Sequence, residues 1–493
     1  MAASLPKDLL RSRYVGKTLH QVGTPAVVLD LAKVEANCNI MIEAAQRLQL
    51  SWRAHIKTHK TEELTRLQVG DNSSSPVNIV VSTLIEAESV LPLLKEYQEK
   101  GREVNVLYSF PIYGSSVARL AALSSALGPR ALSVMVDHPD QLKHLTSLAS
   151  KSGHAPLVFL KVNVGSNRAG VVPGTPACGE LIDGLLIAES TGSCVLLGLY
   201  CHAGHSYAAR RDWEAMGILG AEFAALEDVA ALVRKERPGH PLVLSVGATP
   251  TVTTLQHPDF SSPSSSEDKP AASLLTSSAP TSLLKDLIAR MRAAGLALEV
   301  HAGVYPTLDV QQLAAHARDA AYLSWRAIGV SVLAEVASVY PGRGPGGGAS
   351  SSSSSSSSSE ALVNAGSLAL GREPCQDMGD VPGRHYGAWG ILMPWNGLAN
   401  PAPGPRFPAV HGGWQVAKIS QEHGVLQWAG GGEDAKEGED VPEAPLHVGQ
   451  RVRIWPNHSC ITGAGHGWYL VVDSRNQGRE DEIVDVWPRW NGW

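Results

Sequence analysis

A handful of short stretches in this sequence carry residue types that could do chemistry. As an extended chain, RAHIKTHK (Arg53–Lys60) places Arg53, His55, Lys57 and His59 on one face, because side chains alternate along a strand. Such a face is either a charged edge that resists aggregation or the surroundings of a reactive amine. A lysine whose pKa is depressed by neighbouring cations forms a Schiff base with a carbonyl, and His55 and His59 are such neighbours. Further along come Arg168 in KVNVGSNRAG, then Tyr200, His202, His205 and Tyr207 in YCHAGHSY. Ser245, Gly247 and Thr249 follow in SVGATPT, and Gly303 and Tyr305 in HAGVYP. Near the C-terminus, WPNHSC holds His458 and Cys460 two positions apart, so on a strand they share a face. An imidazole with a thiolate favours Zn2+ over Mg2+ or Ca2+, with another divalent ion such as Mn2+ as the alternative. Two protein ligands are too few for a closed structural site and leave positions for water or substrate. A buried cysteine beside a structural histidine would produce the same pair.

The elements that must position these residues can be read between residues 50 and 305. Eight apolar runs, SWRAHIK, VNIVVST, EVNVLYS, ALSVMVD, PLVFLKVNV, CVLLGLYC, LVLSVGA and LALEVHAG, alternate with segments of helical spacing such as TLIEAESVLPLLKEYQEKG. Nearly continuous apolar strands belong to a parallel sheet covered on both faces, and eight of them alternating with helices predict a (β/α)8 barrel. An open doubly wound sheet is the alternative, but no GxGxxG follows an early strand. In such a barrel the reactive groups gather where the strands end, which is where every cluster from Lys57 to Tyr305 falls. SVGATPT and AGVYP follow the last two strands, where barrels hold phosphate, and they offer small residues, backbone N–H groups and a hydroxyl. A phosphate cradle and a Schiff-base lysine together are what pyridoxal 5'-phosphate requires. After about residue 325 the pattern changes to short strands separated by turns, which predicts a smaller, mainly β domain over 326–493 that carries the metal site. The barrel is expected over 24–325, with residues 1–23 packed on the β domain.

The bulk composition excludes other classes. With 493 residues, 44% of them hydrophobic, the chain is long enough for two buried cores. A spread-out net charge of −6 offers nucleic acid and membrane surfaces no patch, so neither is an expected partner. No apolar run approaches the length of a membrane span. The six cysteines follow no regular spacing, which suits a reducing compartment with buried thiols rather than a disulfide framework. MAASLPKDLLRSRYVGKTLH lacks an apolar core and contains Asp8, so the expected location is the cytoplasm, with a short organelle transit peptide left open. The Ser-rich inserts 261–282 and 342–360, and the Gly-rich stretch Ala429–Pro445, read as surface loops without chemistry.

TPAVVLDLAKVEANCNIM, RAHIKTHK, VNVGSNRAGV, YCHAGHSY, SVGATPT, HAGVYPTLD, VNAGSLALGREP, SQEHG and PNHSC occur in this order, and together they resemble the eukaryotic D-serine dehydratase and D-threonine aldolase family. That resemblance spans nearly the whole chain apart from the Ser-rich inserts. It implies fold-type-III pyridoxal-phosphate enzymes with the alanine-racemase-like fold, a homodimer and an active site between domains. By motif, it implies that Lys57 is the Schiff-base lysine and that Arg168 contacts the ring oxygen of the cofactor. Tyr200, His202 and Tyr207 would line ring and substrate, and the loops holding Gly247, Thr249, Gly303 and Tyr305 would bind phosphate. His458 and Cys460 match the family's metal pair. The bacterial aldolase branch carries Asp at the position of Cys460, which turns the expectation toward the dehydratase.

The activity so implied is elimination of water from a β-hydroxy D-amino acid, D-serine first and D-threonine as well. Lys57 is the expected α-proton base, and the metal would assist departure of the hydroxyl. Retro-aldol cleavage of D-threonine to glycine and acetaldehyde uses the same parts. A non-catalytic cofactor carrier and a degenerate scaffold are further alternatives. A carrier has no need of a β domain with His458 and Cys460, and a scaffold has no need of an intact Lys57 and Arg168.

Overall fold

The computed structural model describes residues 5–260, 278–318, 323–344, 358–375, 388–398, 413–430 and 443–493. Most of the two Ser-rich inserts and of the stretch Ala429–Pro445 lies outside these residues. The chain divides into two units. One comprises residues 38–303 with 492–493, the other residues 1–37 with 304–491.

Strand β1 (Ala26–Asp30) precedes the barrel in the chain but is not part of it. Eight parallel strands form the first unit: β2 (Ser51–His55), β3 (Val77–Val81), β4 (Val104–Pro111), β5 (Leu132–Val136), β6 (Leu157–Lys161), β7 (Val195–Tyr200), β8 (Val243–Val246) and β9 (Ala297–Ala302). They close in sequence order, with β9 pairing back to β2. These are the eight apolar runs of the sequence, and β5 and β6 are buried over their whole length, as a strand covered on both faces must be. Inside the barrel Val80, Leu107, Met135, Phe159 and Tyr200 pack together. Threonines set the strand-to-helix joints: Thr61 and Thr83 accept from the backbone N–H groups of Leu64 and Glu86 and so start the helices Glu62–Val69 and Leu84–Glu99.

The second unit is built on a nine-stranded sheet. After β10 (Val330–Tyr340) come β11 (Glu360–Val363), β12 (Gly390–Leu392), β13 (Trp414–Ile419), β14 (Gly424–Trp428), β15 (Arg451–Pro456), β16 (Trp468–Val472) and β17 (Ile483–Pro488). The order is β11-β14-β13-β12-β15-β10-β1-β16-β17, and β11 also pairs with β10, so six of the strands close on themselves. Val332, Val336, Trp414, Leu426 and Ile454 fill that closed part. A second cluster joins Leu10, Leu19 and Val22 to Val28, Leu333, Leu470 and Val486, where burying one such side chain contributes about 2 kcal/mol.

The barrel was expected to begin at residue 24. Instead β1 pairs with β10 and β16, and this hydrogen bonding assigns the first 37 residues to the β unit. All six cysteines are free, and five are buried. Among the described residues, no helix is long and apolar enough to cross a membrane.

Candidate active site

β2 ends at His55, and Lys57 sits in the turn that follows rather than on the strand. The cationic face expected of RAHIKTHK is therefore divided. Arg53 points into the barrel, where its Nε pairs with Glu299 at 2.6 Å and its guanidinium donates to Asn105 Oδ1 at 2.8 Å. His59 is fully buried elsewhere, accepting from the Thr61 N–H at 3.1 Å with Nε2 2.8 Å from Gln68 Oε1. Lys60 pairs with Glu86 at 3.0 Å. Only His55 and Lys57 remain together, in the wall of a cavity of about 350 Å³ at the C-terminal end of the barrel. Burial, and then the Lys57 charge, hold His55 well below the usual histidine range. His55 is thus a neutral neighbour of Lys57, and the expected cationic flank is absent.

Two further cations line the cavity. Arg168 stands on a loop folded by Asn163, whose side-chain oxygen accepts from the N–H groups of Gly165 and Asn167 at 3.0 and 3.2 Å. The Gly170 N–H anchors the loop to Asp137 at 3.0 Å. Lys161, the last residue of β6, was not singled out from the sequence. Its ammonium lies 4.4 Å above the Tyr200 ring, and burial brings its pKa down to about 8. A lysine ending an otherwise apolar strand was the available signal. Among the described residues no carboxylate lines the cavity, while Phe110, Met135 and Tyr200 supply apolar surface.

Tyr200 stacks on His301, with ring centroids 4.1 Å apart and planes at 11°. His301, also missed, bonds Ser245 through Nδ1 at 3.1 Å, and its buried Nε2 has no partner among the described residues. The buried Nδ1 of His55 is orphaned in the same way.

His202 lines the cavity and places Nδ1 2.6 Å from the Gly247 carbonyl. A carbonyl only accepts, so Nδ1 carries the proton. Burial and the charges of Lys57, Lys161 and Arg168 keep the ring neutral, which leaves Nε2 as an acceptor. Gly247 has φ +144, and a Cβ there would lie 2.3 Å from the His301 carbonyl, so only glycine fits. Its amide, expected to be open for phosphate, donates to Glu222 at 3.2 Å, and the Ala248 N–H donates to Thr251 Oγ1 at 3.0 Å. Burial raises the Glu222 carboxyl to about 7. A Cβ at Gly303 would come within 3.2 Å of His55. Tyr207 and Thr249 lie in the loops after β7 and β8 without lining the cavity, and His205 lines a separate apolar one. Tyr305 is buried and belongs to the other unit.

In that unit β15 stops at Pro456, so His458 and Cys460 are not on a strand as expected. His458 is the residue before the short helix Ser459–Ala464, and Cys460 is its second residue. Cys460 is the one partly exposed cysteine. Burial opposes a charge on His458, but the hydrogen bond to Cys460, the charges of Cys460 and Asp309 and a hydrogen bond from Nδ1 to Glu373 raise it to about 10. Asp309 clamps the turn: its buried carboxylate accepts from the Ser459 N–H at 2.9 Å and hydroxyl at 3.2 Å, and caps Gln312 at 2.9 Å. Among the described residues no group of three or more His, Cys, Asp or Glu could hold a metal.

Comparison with known proteins finds two family matches along the chain. Residues 29–263 match the family described as alanine racemase, N-terminal domain, and residues 329–472 match the putative serine dehydratase domain. The chain is 36% identical over 492 residues to D-serine dehydratase of Schizosaccharomyces pombe, covering 99% of this chain and 96% of that one. A D-threonine aldolase of Arthrobacter is 30% identical, but over 32% of this chain and 38% of its own. Among solved structures, D-threo-3-hydroxyaspartate dehydratase from Delftia superposes with a TM-score of 0.66 at 22% identity, covering 97% of this chain and 100% of that one.

Proposed function

The chain belongs to the D-serine dehydratase family, and from that premise we propose that it is a pyridoxal-phosphate- and zinc-dependent lyase that converts D-serine to pyruvate and ammonia and also accepts D-threonine. The observation that carries this reading is the barrel cavity, where Lys57 stands with Lys161 and Arg168 and, among the described residues, no carboxylate. Three cations suit a ligand bearing a phosphate and a phenolate, while Tyr200, Met135 and Phe110 suit its ring. The orphaned nitrogens of His55 and His301 are further polar groups for it. His458 and Cys460 offer the donors of a zinc site with positions to spare, and Mn2+ is the alternative ion.

When bound, pyridoxal phosphate supplies an electron sink for the pair left at Cα, and the divalent ion supplies a Lewis acid for the β-hydroxyl. Lys57 and Arg168 would hold the cofactor, and Tyr200 and His202 line the same cavity. Lys57 Nζ, once free, takes the α-proton. The pair left behind forms the Cα–Cβ double bond as hydroxide leaves Cβ. The released enamine takes up water and yields pyruvate and ammonia. Phe110, 58% exposed at the cavity wall, marks the side open to solvent. A homodimer belongs to the same proposal and is checked by sedimentation of the loaded protein.

The partial match to D-threonine aldolase supports one second reading, retro-aldol cleavage. Product analysis of protein loaded with pyridoxal phosphate and zinc separates the two. Pyruvate from D-serine and 2-oxobutanoate from D-threonine, without glycine, is the expected result. Glycine and acetaldehyde from D-threonine, with little pyruvate from D-serine, would establish the aldolase. Unchanged D-serine and D-threonine would leave a carrier or scaffold.

A further inference from the structure

Glu222 lies near the middle of the helix Asp212–Glu236 with its side chain 1% exposed. Among the described residues it has no ion pair within contact distance, so the cost of burying its charge is met mainly by hydrogen bonds, with the Lys161 charge as a smaller contribution. The donors come from the segments that follow β7 and β8, with Thr251 in the short helix Thr249–Thr253. Oε1 accepts from the Ala203 N–H at 2.8 Å and the Gly247 N–H at 3.2 Å, and the thiol of Cys201 is 3.8 Å away. Oε2 accepts from Thr251 Oγ1 at 3.0 Å. Ala203 follows His202 directly, and the Gly247 carbonyl is the acceptor for His202 Nδ1 at 2.6 Å. One carboxylate therefore holds both the backbone next to His202 and the residue that dictates its tautomer.

We infer that Glu222 is a positioning residue of this cavity, which latches the loops after β7 and β8 together and thereby keeps His202 oriented, with Nε2 as an acceptor for the bound cofactor. This rests on the reading that the cavity takes pyridoxal phosphate. A glutamine has the size of Glu222 but presents one N–H2 end to a ring of donors, so it keeps the packing and loses part of the latch.

The test compares the full-length wild type, Glu222→Gln, His202→Gln and the double variant. In cofactor-free protein, amide hydrogen exchange over residues 201–208 and 246–253 is expected to quicken about tenfold in Glu222→Gln while the other barrel strands exchange as before. The dissociation constant for pyridoxal phosphate is expected to rise about tenfold in Glu222→Gln, and the double variant is expected to bind no more weakly than His202→Gln alone. Unchanged loop exchange overturns the latch. Unchanged cofactor affinity, or losses that multiply in the double variant, overturns the positioning of His202. If the wild type itself takes up no pyridoxal phosphate, the functional reading and the cofactor role fall, while the exchange experiment still decides the latch. Should Glu222→Gln not fold, Thr251→Val removes one donor, leaves the carboxylate in place and is judged by the same two measurements.

Discussion

At the scale of single residues, the proposed function divides the chemistry between Lys57 and Cys460, and substitutions should divide it the same way. Lys57→Ala is expected to abolish both the absorbance of lysine-bound cofactor and turnover, checked by spectrophotometry and pyruvate assay. Cys460→Ala is expected to keep that absorbance, lose bound metal in elemental analysis and lose most activity. An active, metal-free Cys460→Ala protein would overturn the proposed role of the metal. His301 supports a prediction about pH. Burial first, and then His202, Lys161 and other neighbours, hold its pKa well below 6.5. Below 6.5 the unfolded chain therefore binds a proton there that the folded barrel does not, and stability falls as pH falls through that window. In His301→Asn this contribution disappears. The slope of unfolding free energy against pH, measured by urea denaturation below pH 6.5, should become shallower by up to one proton, about 1.4 kcal/mol per pH unit.

At the scale of elements, β2 shows where periodicity misleads. Alternation placed Arg53, His55, Lys57 and His59 on one face, yet the strand stops at His55 and the four side chains go to three different surroundings. Arg53 is buried rather than an edge charge, and it is not among the residues lining the Lys57 cavity. It meets Glu299, 246 residues away, inside the barrel. Arg53→Met leaves Glu299 buried without its partner and is expected to destabilise by about 3–5 kcal/mol, whereas adding Glu299→Leu should recover most of that loss in chemical denaturation. β15 makes the same point. His458 and Cys460 come together because the chain turns into the helix Ser459–Ala464, with Asp309 clamping the turn from 150 residues away, and not because two strand positions share a face.

At the scale of the whole molecule, the proposed cofactor ligand Lys57 and the proposed metal ligands His458 and Cys460 belong to separate units, each with its own core. Chelation of the metal is therefore expected to remove turnover while leaving cofactor uptake intact, read from absorbance before and after dialysis against a chelator. The fold was legible in the sequence because a strand buried on both faces must be apolar along its length. Eight such runs separated by helical periods allow few architectures. Lys57, Arg168 and His202, singled out by type and order, line one cavity, and His458 and Cys460 are proposed as ligands on residue type alone. The membership of β1, which alternation and burial cannot assign to a sheet, was settled by its pairing with β10 and β16. Likewise the neutrality of His55, the presence of Lys161 in the cavity and the convergence of two loops on Glu222 depend on which distant groups share a buried space. Charge state and partner choice follow from desolvation and proximity, and in a closed barrel those are fixed only once the last strand has met the first.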